Sequence, residues 1–139
     1  MNSIMEEQPQ LNIERVTAYW QTEADEALQV AAHLIEAGDY SYALFFGHLA
    51  VEKMLKAIYV YRKQQHAPPL HNLVRLAELA DLDLDAAQTE ALATITAFNI
   101  EARYPDLKRA FRQQCTSAFT ARHMASIREV LTWLKSHLP

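Results

Sequence analysis

Apolar residues recur at intervals of three and four from Val16 onward: Tyr19, Trp20, Ala24, Ala27, Leu28, Ala31, Leu34 and Ile35. Such spacing lays them along one face of a helix. Gly38 stands where a helix commonly ends on a left-handed residue. Asp39 or Ser41 is suited to cap a second helix, from near Tyr40 to about Gln64. There the apolar positions are denser: Ala43, Leu44, Phe46, Leu49, Ala50, Val51, Met54, Leu55 and Ile58. A surface that wide predicts a central helix with several neighbours.

The next break is His66-Ala67-Pro68-Pro69-Leu70, because proline lacks a backbone donor and restricts the residue before it. A short helix over His71 to Leu82 is expected, then an acidic turn from Asp81 to Asp85, then a helix over about Ala86 to Glu101. Arg103-Tyr104-Pro105-Asp106 interrupts the pattern, and a last helix runs from about Gln113 to His137. The short connections predict antiparallel neighbours: an all-α, up-and-down bundle of four long helices and one short one. Only two glycines and five prolines in 139 residues agree with that, since sheets spend both on turns. Residues 1–10 read as a flexible segment and 11–139 as a single domain.

The net charge of −4 argues against broad non-specific binding of nucleic acid. A local patch remains open, for the last third is the most basic, with Arg103, Lys108, Arg109, Arg112, Arg122, Arg128 and Lys135. Cys115 stands alone, so neither an intrachain disulfide nor a thiolate zinc site can form. There is no secretory signal and no membrane-length apolar run, and a soluble cytoplasmic protein is expected.

With glycines only at 38 and 47, no Gly-rich phosphate loop exists. His48 and Glu52 lie four apart on the central helix, a ligand spacing, but two ligands do not complete a metal site. No metal or cofactor is expected, and His48 reads as a core-edge histidine with a hydrogen-bond partner. Glu52 and Lys56 are spaced for a helix-surface ion pair. His71 opens a helix, beside N–H groups that attract anions, or it merely fixes its loop. Arg103-Tyr104-Pro105-Asp106 also has two readings. It is a helix stop, with Asp106 capping the next segment and Arg103 neutralising carbonyls. Or it is an exposed platform, on which Arg103 forks onto phosphate and Tyr104 stacks on a base.

Three stretches, taken in order, resemble the HEPN domain: "YSYALFFGHLAVEKMLKAIYV", "PPLHNLVRLAEL" and "FNIEARYPD". The resemblance covers roughly Glu23 to Leu134. It implies a helical bundle, a homodimer, a prokaryotic setting and a small nucleotidyltransferase partner in a toxin–antitoxin-like pair. It also implies binding of a nucleotide or RNA. The site it points to is Arg103, Tyr104, Asp106 and His71, with Lys53, Lys56, Glu52 and His48 nearby. Many HEPN proteins are metal-independent RNases that carry an arginine and a histidine with four to six residues between them. Here Arg62 and His66 have three residues between them, and Arg62 and His71 have eight. The motif is absent, which puts catalysis in doubt and favours capture of phosphate. Two alternatives stand: an RNase toxin with a non-standard site, and a non-catalytic structural dimer. For the dimer, Tyr40, Tyr42, Phe45, Phe46, Tyr59 and Tyr61 offer a surface. Arg103 also has a structural option, a cross-bundle pair with Glu52.

Overall fold

The computed structural model describes residues 11–139; the segment 1–10, expected to be flexible, lies outside the described residues. Helix α1 spans Ile13–Glu36, α2 Tyr40–Lys63, α3 Leu73–Leu79, α4 Ala86–Thr96, α5 Pro105–Gln114 and α6 Ser117–Lys135. A single 3₁₀ turn, Ile100–Ala102, lies between α4 and α5. No strand occurs among the described residues, so the architecture is an all-α bundle.

Helix α2 is its axis. Ala43, Leu44, Ala50, Val51, Met54, Leu55, Ile58 and Val60 are each at most 1 % exposed, and they face α1, α3 and α6 together. The α1–α2 pair is the most extensive, and its seam is made of small residues, with Ala24, Ala27 and Ala31 of α1 buried. Gly38, with φ +81°, turns the chain between these two helices, as its position predicted. Gly47 lets α6 approach α2. A Cβ there would stand 2.7 Å from Ile127 Cδ1 and 3.3 Å from Met124 Sδ.

Side chains fix most helix starts. Asn12, Asn72 and Thr116 each accept a bond from the N–H three residues on, and Asp85 and Gln88 form a capping box. Asp39 stands at the head of α2 as expected, yet its carboxylate caps nothing.

The chain departs from expectation between Thr96 and Ser117. Helix α4 ends at Thr96, short of Glu101, and α6 begins at Ser117, after Gln113. Between them lies a helix the periodicity did not reveal. Pro105 does not only stop a helix; it is the first residue of α5, where its missing N–H costs nothing. Tyr104 holds the N-cap position, and Asp106 sits in the first turn, complementing the helix dipole without capping it. Phe111 is the one buried residue of α5, which is why its apolar stripe is hard to see in the sequence.

Candidate functional site

Helix α2 carries His48, Glu52 and Lys56 at successive four-residue steps, so they form one line along a face. That face is inside the bundle. The side chains of His48, Glu52 and Lys56 are 1, 6 and 9 % exposed. Glu52 is the hub. Its Oε2 accepts from Lys56 Nζ at 3.2 Å, and its Oε1 lies 2.9 Å from His71 Nδ1. A carboxylate oxygen only accepts, so Nδ1 of His71 carries the hydrogen and Nε2 is left for solvent. Lys56 also lies over the Trp20 ring, 5.4 Å from its centroid. The surface ion pair expected from spacing is therefore a buried one.

His48 differs from expectation. It is fully buried, and neither ring nitrogen has a hydrogen-bond partner among the described residues. Its Nε2 stands 3.7 Å from Glu52 Oε1, too far for a bond. Burial pushes its pKa below the ordinary 6.5, with Glu52 only partly opposing, so the ring stays neutral. The Phe45 ring stacks against it, centroids 6.0 Å apart.

His48 and His71 share a cleft of about 290 Å³ with Phe45 and Leu49 from α2 and with Asn99, Glu101 and Ala102 from the bend after α4. No lysine or arginine lines it. The cleft itself is thus apolar, neutral or acidic, and it lacks the charge to hold phosphate. Among the described residues, no three His, Cys, Asp or Glu side chains gather as a metal-ligand set.

The other predicted residues lie apart from this cluster. Lys53 turns to α1 and pairs with Glu23 at 3.1 Å. Arg103 does not reach Glu52. Its guanidinium donates to the Ala97 carbonyl and lies over the Phe111 ring, 5.0 Å from the centroid. It staples the bend to α5, and Phe98 stacks on Phe111 beneath it. The neutralised helix-end carbonyl of the sequence reading is therefore present, at the end of α4. Tyr104 is 79 % exposed and Asp106 is also exposed.

The family model described as HEPN domain matches residues 17–137. The chain belongs to the HEPN domain family. No curated protein matches it. Among solved structures, the crystal structure of TT1696 from Thermus thermophilus is similar, with TM-score 0.73 and 24 % identity. That likeness covers 88 % of this chain and 98 % of that one, and it concerns the fold. No helix of the described residues is long and apolar enough to cross a membrane.

Within this HEPN domain, sequence reasoning placed Arg103 and Tyr104 at the site and counted Lys108 and Arg109 only among the cations of the basic last third. Lys108 is one helical turn beyond Tyr104, half-buried, and Arg109 beside it is exposed. The signal lay in the proline: read as a helix start, it puts Tyr104 and Lys108 on one face.

Proposed function

We propose that this HEPN protein binds a nucleotide or single-stranded RNA along the bend and the first turns of α5, and works beside a small nucleotidyltransferase. One observation carries the reading: Tyr104 is 79 % exposed at the head of a helix whose first turns carry half-buried Lys108 and exposed Arg109. An exposed tyrosine offers a face for a base, and nearby cations track the phosphates. Arg103 is held in place by Ala97 and Phe111, so it lends its charge without further ordering. The net charge of −4 confines such binding to this patch. The partner and the toxin–antitoxin-like setting come from the family. So does the homodimer, for which exposed Tyr19, Tyr42 and Tyr61 on α1 and α2 supply a surface.

Fluorescence anisotropy with a labelled single-stranded RNA tests it. Tyr104→Ala should weaken binding about tenfold or more, as loss of one stacked base does. Lys108→Ala with Arg109→Ala should lower the slope of log K against log salt by ~1.4, for two phosphate contacts on a single strand. Unchanged affinity in both variants would overturn the proposal.

The second reading, metal-independent RNA cleavage at a non-standard site, draws on the His71–Glu52 pair. A buried carboxylate orients the imidazole and leaves Nε2 facing outward as a general base. His71→Ala should then abolish cleavage in the presence of chelator. Cleavage that persists in that variant would dismiss this site.

A further inference from the structure

On the central helix α2, His48 is buried with its hydrogen-bonding capacity unspent. The residue is 0 % exposed, and neither ring nitrogen has a partner among the described residues. A neutral imidazole is one donor and one acceptor, so two polar groups stand unmet where nearly all buried ones are met. The same ring lines the cleft of about 290 Å³ between α2 and the bend after α4. Half-buried Phe45 and Leu49 form its apolar wall, and Asn99, His71 and Glu101 bring polar groups to it. A largely apolar cleft with a few convergent polar groups is the ordinary form of a small-ligand site.

Those polar groups spell out a ligand. Glu101 offers a carboxylate, which only accepts. His71 offers Nε2 as a second acceptor, because its Nδ1 gives its hydrogen to Glu52. His48, kept neutral by burial, has one N–H to donate. Asn99 can donate or accept. A phosphate would meet a carboxylate and no cation here. A plain ammonium ion would serve the acceptors and leave the His48 N–H unmet. The complement is a flat neutral edge with two donors beside an acceptor. Guanine has it: N2–H₂ and N1–H donate, and O6 accepts. Adenine and cytosine offer one amino group, and uracil one N–H between two carbonyls.

We propose that this cleft is a guanine-binding pocket that takes an unpaired guanine of RNA by its donor-rich edge. The proposal deepens the RNA reading and rests on it for the strand that delivers the base. Ala102, on the cleft, stands two residues before Tyr104, at most ~7 Å along the chain. A strand stacked on Tyr104 therefore passes the mouth of the cleft, and a neighbouring base turns in. Glu101 accepts from N1–H and N2–H₂, His71 Nε2 takes the other N2 hydrogen, and His48 donates to O6. Both His48 nitrogens are closed to water in the structure, so the base enters by displacing the Phe45 ring that stacks on His48.

The test titrates the whole chain with the four phosphate-free nucleosides and follows the His48 ring signals by NMR. Guanosine should move them and bind about tenfold tighter than adenosine, cytidine or uridine. Anisotropy then compares labelled oligoadenylates that carry one central guanine, one hypoxanthine or adenine alone. Hypoxanthine lacks only the N2 amino group, and it should bind about tenfold more weakly than guanine. Glu101→Gln should bring guanine down to the hypoxanthine level, and His48→Leu should remove the guanine preference. Glu101 is exposed, so its variant decides the matter even if His48→Leu folds poorly. If no nucleoside moves His48 and the three RNAs bind alike, the pocket fails while the RNA reading stands. If guanosine alone moves His48 and no RNA binds, the RNA reading fails and the pocket stands for a free guanine nucleoside. Equal shifts from all four nucleosides, or a guanine preference that survives in both variants, overturn the assignment.

Discussion

Helices α2 and α5 use the same residue types in opposite ways. On α2, Glu52 and Lys56 are turned inward and paired, with His71 closing over them and Trp20 beneath. On α5, Lys108 and Arg109 make no ion pair among the described residues, and Phe111 alone is buried. Charge inside the bundle is committed to holding neighbouring segments together, so altering it should change the fold. Charge on α5 holds little in place, so altering it should change what the molecule binds.

The largest effect belongs to Glu52→Ala. It leaves Lys56 buried without its counter-ion and frees His71, and breaking one end of such a pair costs ~3–5 kcal/mol. Urea denaturation should show a lower midpoint with an unchanged slope. A loss below about 1 kcal/mol would mean that water already reaches the pair, and α2 would then resemble α5 after all. Gly47→Ala comes next. The added methyl meets Ile127 Cδ1 at 2.7 Å, so the α2–α6 contact must shift, at ~1–3 kcal/mol.

His48 gives the interior a pH dependence. Burial lowers its pKa below 6.5 in the folded chain. As pH falls through that value the unfolded chain takes up a proton that the folded chain resists. Stability is therefore fully present above pH 6.5 and declines below it, toward the folded pKa, by at most ~1.4 kcal/mol per pH unit. His48→Leu should flatten the decline, measured by denaturation between about pH 8 and 5. It also removes two unpartnered buried nitrogens, so stability at the alkaline end should not fall. A decline that survives in full would move its origin elsewhere, for example to His123, whose pKa burial also lowers.

The contrast between the helices also explains what the sequence could disclose. Helices α1, α2 and α6 bury residue after residue at helical spacing, and that period is visible in the chain. Helix α5 buries Phe111 alone, so no period betrays it, and the proline that starts it looks like a stop. Glu52 with Lys56 was legible as a pair because four residues on a helix bring them together. Its burial was not, since that depends on His71 and Trp20 arriving from other segments. Arg103 was legible as a helix-end cation but not as a staple, because Phe111 becomes its platform only once α5 exists. The orphaned His48 could not be foreseen at all: spacing shows that Glu52 is near, not that 3.7 Å leaves the nitrogen unbonded.

The smallest expected effect is the sharpest test of the comparison. Lys108→Ala with Arg109→Ala should change folding stability by no more than about 1 kcal/mol, since Arg109 is exposed and Lys108 only half-buried. The same pair is expected to lose RNA affinity and salt dependence. Stability and binding should thus move independently on α5, whereas on α2 Glu52→Ala moves both, because a loosened bundle presents no fixed surface. If the α5 pair instead unfolds the protein, its cations are structural and Tyr104 is exposed for another reason. If it spares both stability and binding, α5 is an inert strut, and Tyr104 is not where this chain holds RNA.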